Sequence, residues 1–260
     1  MKTTYFIIAL LLLGFANAAA QPAIGIEERL DNQIPLDLKF EDAKGKEHQL
    51  KDLIDKPTVL LLVYYNCPGI CSPLLTSTAE LVDKTDLVPG KDYRILTVSF
   101  DHSETPELAA KFKKNYYASL QNKKLMDEDW KFMVGDSTTV RTLTDEAGFY
   151  FQPAGEKDFT HAGALIILSP DGKVTRYIFP GQNMTFNPFD LKMALIEASK
   201  GISSPTINKV LQFCFSYDPE GKTYVFNITK VIGSIMFLGI GVFLTILIIK
   251  GRKKNKKERS

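Results

Sequence analysis

Cys67 and Cys71 bracket Pro68-Gly69-Ile70 in the stretch "VYYNCPGICSPLL". Two thiols four positions apart can form a disulfide, act as a redox pair or supply two ligands to a metal. A third donor separates these readings. The chain has three histidines, His48, His102 and His161. His161 stands in "KDFTHAGALIIL", just ahead of an apolar run. Two soft sulfurs and one neutral imidazole suit copper, above all Cu(I), which accepts three ligands. Zinc would ask for a fourth. His48 lies in a polar stretch beside a turn, and His102 follows Asp101 at a strand end. Both are expected to be solvated, and neither is expected to bind metal. The third cysteine, Cys214 in "LQFCFSYDPEGKTYVF", stays open as a free thiol, an intermolecular bond or an accessory ligand.

The elements around these residues must bring them together. "PTVLLLVYY" (57–65) is a continuous apolar run and predicts a strand buried on both faces. Leu74, Leu75, Thr78, Leu81 and Val82 then recur at helical spacing. Cys67 is thus expected in a loop and Cys71 in the first helical turn. There the helix dipole and unpaired N–H groups favour a thiolate. "YRILTVSF" (93–100) predicts a second buried strand, followed by a helix with Thr105 as N-cap and Pro106 next. A third strand is expected at 130–134. Asp136 then caps a helix whose apolar face is Val140, Leu143 and Ala147, ended by Gly148. "GALIILSPDGKVTRYIF" predicts a hairpin, 164–168 and 174–179, around a Ser-Pro-Asp-Gly turn. A last helix starts at Asn187-Pro188, turns Leu191, Ala194, Leu195 and Ala198 inward, and stops at Gly201. An earlier strand is expected near 36–40, before a turn at 43–46. Strands alternating with helices, then a closing hairpin, predict an α/β fold: a thioredoxin-like mixed sheet flanked by helices. In that plan the loop carrying His161 lies beside the cysteine loop.

"YYNCPGICSPLL", "TVSFDHSETPELAAKF" and "GFYFQPAGEKDFTHAGALIILSPDGKVTRYIF" together resemble the Sco/SenC family of copper-binding, thioredoxin-fold proteins. The resemblance covers about residues 25–200. It implies copper as the bound metal, with Cys67, Cys71 and His161 as ligands. It also implies a role in assembling the copper centre of cytochrome c oxidase, whose copper-site subunit or a similar cuproprotein would be the partner. The chain departs from the family pattern in two places. Many members carry an acidic residue just before the ligand histidine, where this chain has Thr160; Asp158 is the nearest acid. Familiar members are anchored by an N-terminal helix, whereas the candidate anchor here is C-terminal.

Composition and charge supply the setting. Residues 1–20, one early Lys, an apolar run and Ala16-Asn17-Ala18, read as a secretory signal peptide. Residues 231–249 carry no charge and would span about 28 Å as a helix, enough for a bilayer core. The basic tail at 250–260 favours the cytoplasmic side. The expected order is therefore signal peptide, copper-binding domain (21–202), membrane-proximal linker (203–230), transmembrane helix and cytoplasmic tail. This places the domain in the periplasm, at the bacterial inner membrane. Taking the tail's +6 and Lys2 from the net +2 leaves −5 for residues 21–249, which gives no electrostatic case for nucleic acid. The linker's aromatics suggest a hairpin.

The whole favours a membrane-anchored copper metallochaperone over an enzyme. The alternative is a thiol–disulfide oxidoreductase that keeps partner cysteines reduced with the same two sulfurs. A thiol peroxidase on the same fold ranks third.

Overall fold

The computed structural model describes residues 24–155 and 158–205, two strands at 215–218 and 223–226, and Met236. Its main sheet has seven strands. Four form the centre: β4 (Thr58–Val63), β5 (Arg94–Ser99), β6 (Trp130–Val134) and β10 (Leu165–Leu168). β4, β5 and β6 run parallel, and β10 lies antiparallel on the outer side of β4. β11 (Val174–Ile178) closes that edge as the second arm of the predicted hairpin. β2 (Lys39–Asp42) and β3 (Glu47–Gln49) form a hairpin on the other edge, where β2 pairs antiparallel with β6. The sheet order is β11-β10-β4-β5-β6-β2-β3.

The apolar runs explain this arrangement. Every residue of β4 is buried, so both faces of the strand are covered. Each buried Leu or Val contributes ~1.5–3 kcal/mol relative to exposure, which favours the central position. The expected early strand forms at Lys39–Asp42, a few residues later than the apolar signal at 36–40. Pairing decides its place. The carbonyls of Leu36 and Leu38 instead accept the N–H groups of Lys51 and Leu50, at the start of the short helix α1 (Leu50–Leu53).

The longer helices follow the capping signals. α3 (Pro106–Ser119) begins at Thr105, whose hydroxyl accepts the Leu108 N–H at 3.5 Å. α4 (Ser137–Glu146) begins at Asp136, which accepts the N–H groups of Thr138 and Thr139 at 2.9 and 3.1 Å. α5 (Pro188–Ser199) begins at Asn187, whose Oδ1 accepts the Phe189 N–H at 3.0 Å. α2 (Cys71–Lys84) differs, because no side chain caps its start. Its first N–H groups are therefore left for other acceptors.

Four short strands were not legible in the sequence. β1 (Gly25–Ile26) pairs with β7 (Phe149–Tyr150), and β8 (Gln152–Pro153) pairs with β9 (Phe159–Thr160). Two-residue strands show no periodicity to read. Gly148 sits at φ +62°, and a Cβ there would lie 2.0 Å from the Glu27 carbonyl oxygen. This close approach lets the Glu27 N–H reach the Gly148 carbonyl at 2.8 Å, which ties the N-terminal segment to the body.

His48 corrects one expectation. It is half-buried, and its Nε2 meets Asp42 Oδ2 at 2.8 Å across the β2–β3 hairpin. Position beside a turn suggested solvation, but pairing with β2 turns the ring inward. His102 is exposed, as expected. Outside the main sheet, β12 (Phe215–Asp218) and β13 (Thr223–Phe226) form the antiparallel hairpin suggested for the linker. Among the described residues no helix is long and apolar enough to cross a membrane. The expected signal peptide, the 231–249 span (Met236 apart), the basic tail and Cys214 lie outside the described residues.

Candidate metal centre

The loop after β4 carries Cys67, and α2 starts at Cys71 itself. His161 follows β9 directly, at the end of the β8–β9 hairpin. That hairpin folds over the C-terminal end of β4 and brings the imidazole to the two sulfurs. His161 Nε2 lies 3.5 Å from Cys71 Sγ and 3.9 Å from Cys67 Sγ. One ligand atom from each residue falls within 4.8 Å of the others. Both cysteines are free; Cys71 is buried and Cys67 half-buried. Among the described residues this is the one group of three or more Cys, His or acidic side chains that could hold a metal ion. The structure thus brings together all three residues singled out in the sequence.

The histidine tautomer is set locally. His161 Nδ1 lies 2.7 Å from the carbonyl oxygen of Ala162. A carbonyl can only accept, so Nδ1 carries the proton and the Nε2 lone pair of the neutral ring faces the sulfurs. A backbone carbonyl takes the orienting role that a carboxylate plays in many metal sites. Thr160 and Asp158, the positions that raised the question of an acid, are both exposed. Aromatic rings fix the imidazole from the side. Phe100 stands edge-on at 5.0 Å and Tyr64 at 5.6 Å between ring centroids, with Phe149 at 6.1 Å.

The two thiols share one proton. Cys67 is lowered to about 4 by its hydrogen bond with Cys71, helped by the N–H groups of Cys71 and Gly69, against the effect of burial. The Gly69 N–H lies 3.4 Å from Cys67 Sγ. Cys71 is pushed far up, because it holds the proton donated to Cys67 and because it is buried. The ground state of the apo pair is therefore one accessible thiolate beside one buried thiol.

Sequence reasoning missed two neighbours. The Tyr64 hydroxyl hydrogen-bonds with Cys67, and burial together with that contact pushes its pKa up to about 12. Glu104, between β5 and α3, accepts the N–H groups of Tyr65 and Asn66, just before Cys67. Tyr64 was legible only as an apolar strand residue, and Glu104 only as a polar residue ahead of a helix cap.

A profile of the SCO1/SenC family matches residues 27–192. The chain belongs to the SCO1/SenC family. Among solved structures, a proposed electron transfer protein from Aquifex aeolicus VF5 is 30% identical, with a TM-score of 0.58 over 66% of this chain and 95% of that one. ScoI of Arabidopsis thaliana, solved with copper bound, superposes with a TM-score of 0.51 at 18% identity, over 63% of this chain and 96% of that one. A SCO1/SenC family lipoprotein from Bacillus anthracis superposes equally well, at 0.51 and 16% identity over 67% and 98%. No curated protein matches the chain. The family match covers β2 through the first turn of α5, and so includes all three candidate SCO1/SenC ligands.

Proposed function

We propose that this SCO1/SenC protein binds copper through Cys67, Cys71 and His161 and hands it to a cuproprotein partner. The observation that carries the reading is the meeting of two sulfurs and an imidazole Nε2 within 4.8 Å, with the lone pair freed by Ala162. The spacing fits one ion. Metal–sulfur bonds of about 2.3 Å and metal–nitrogen bonds of about 2.0 Å, in a trigonal plane, put sulfur and nitrogen about 3.7 Å apart. The observed separations are 3.5 and 3.9 Å. Three ligands, two of them soft, favour Cu(I) over zinc. The relative from Arabidopsis was solved with copper bound, which supports the choice of metal.

Copper is cargo in this reading. The Cys67 thiolate is the accessible ligand and the first that an incoming thiolate can replace, while Cys71 holds the ion from below. The Sco/SenC resemblance points to the copper-site subunit of cytochrome c oxidase as recipient. The sequence at 1–20 and 231–260 supports a periplasmic domain anchored in the inner membrane by a C-terminal helix. The test is metal analysis of the reduced full-length chain after Cu(I) addition. About one copper per chain is expected, lost in Cys67→Ser, Cys71→Ser and His161→Ala. Full retention in His161→Ala would refute the three-ligand site. The alternative, thiol–disulfide exchange, is favoured by the low Cys67 pKa beside a buried second thiol. It predicts rapid exchange with an oxidised dithiol target even in His161→Ala.

A further inference from the structure

Glu104 is a buried carboxylate, 8% exposed, that neither metal binding nor the helix cap at Thr105 requires. Three donors converge on it. The Tyr65 N–H reaches Oε2 at 2.7 Å, the Asn66 N–H reaches Oε1 at 2.7 Å, and the Ser99 hydroxyl reaches Oε2 at 2.7 Å. The two amides are consecutive, and both lie beyond the last residue of β4, Val63. Past that point the sheet no longer fixes the chain. One carboxylate gripping two successive amides does so instead, and Asn66 is the residue before Cys67. Hydrogen bonds to a charged group are among the stronger ones, and two on successive residues outweigh the loop's own freedom. Ser99 in turn fixes the carboxylate from the end of β5, so the clamp joins the two central strands at the site.

We propose that Glu104 is a positioning residue for the Cys67–Cys71 pair. It holds the backbone entering Cys67 so that the reduced sulfurs stand apart and open to a third ligand. A disulfide instead needs the sulfurs at about 2.05 Å, and reaching it pulls Cys67 toward Cys71. The clamp resists that movement and so favours the dithiol. The purpose of the arrangement rests on the copper reading, but the clamp itself can be tested without metal.

The full-length chain is equilibrated in glutathione buffers of graded ratio. Cys67 and Cys71 give up two electrons and the one proton they share, and one glutathione disulfide takes these with one proton from solvent to become two glutathione thiols. Peptide-resolved alkylation reads the fraction of Cys67–Cys71 disulfide, separately from Cys214. Glu104→Gln keeps the shape but puts an amide donor against a backbone N–H. It is expected to shift the equilibrium about tenfold toward the disulfide, equivalent to about 30 mV more negative. Glu104→Asp keeps both acceptors on a shorter arm, and a shift of about threefold in the same direction is expected. It carries the test alone if Glu104→Gln does not fold. A folded variant with a lowered melting temperature but an unchanged potential overturns the proposal, because a merely structural role predicts that pattern. Failure of the wild-type chain to take up copper would sink the function proposed above and leave this measurement standing.

Discussion

His161 donates its Nδ1 proton to the carbonyl of Ala162, its own neighbour, at 2.7 Å. The ring's tautomer thus needs no distant partner, and the Nε2 lone pair is presented to Cys71 and Cys67 before any metal arrives. In the reduced apo protein, 15N NMR of the imidazole is expected to show protonated Nδ1 and bare Nε2. The opposite tautomer would contradict the ligand assignment.

Cys67 should remain reactive in acid. Its pKa is depressed, so the thiolate survives as pH falls until about 4 and is lost only below it. Iodoacetamide labelling of Cys67 is expected to be nearly independent of pH from 8 to 6 and to fall as pH approaches 4. Cys71 is the first cause of the depression, so Cys71→Ala should return the labelling midpoint toward the ordinary thiol value of 9.0.

Tyr64→Phe removes one hydroxyl and keeps the ring against His161. The lost hydrogen bond to Cys67 should make that sulfur a stronger electron donor. A shift of the thiolate-to-Cu(II) charge-transfer band to lower energy is expected, with little change in copper stoichiometry. An unmoved band would show that the hydroxyl does not act on the sulfur.

Phe100 touches Tyr64, Phe149, Phe151, Phe159 and His161, with centroid separations of 4.5–5.6 Å. Phe100→Ala should cost ~3–5 kcal/mol in chemical denaturation, as for other buried aromatics, and weaken copper binding through a looser His161. Phe100→Leu should recover most of the stability but less of the affinity, since an aliphatic side chain cannot wall the imidazole.

Away from the site, Asp42→Asn tests the buried pair with His48. Burial raises the Asp42 pKa, but the bond from His48 and the N–H groups of Lys44 and Lys46 more than offset it, and the net shift is downward. The stabilisation is therefore present at neutral pH and lost as pH falls through a value below 3.8. Denaturation at pH 7 is expected to show a loss of ~1–3 kcal/mol in Asp42→Asn.

Much of this was legible in the sequence, for physical reasons that differ by element. β4, β5 and β6 were readable because strands buried on both faces need continuous apolar runs. α3, α4 and α5 were readable because Thr105, Asp136 and Asn187 cap them by local chemistry. Cys67, Cys71 and His161 were readable because few residue types can bind a soft metal. The hidden parts depend on long-range geometry. Glu104 reaches amides 39 and 38 positions away, and no spacing rule links them. The β8–β9 hairpin is too short for periodicity, yet it delivers His161. His48 was misjudged because strand pairing, which hydropathy does not encode, turned it toward Asp42.

The sulfurs and the imidazole belong to segments 90 and 94 positions apart along the chain. An ion held among them would be a removable rivet between the start of α2 and the β8–β9 hairpin. Loading would stiffen that seam, and unloading would let it breathe. A recipient that strips the metal would thereby undo the joint that had held the face to which it was docked, so delivery itself would loosen its grip.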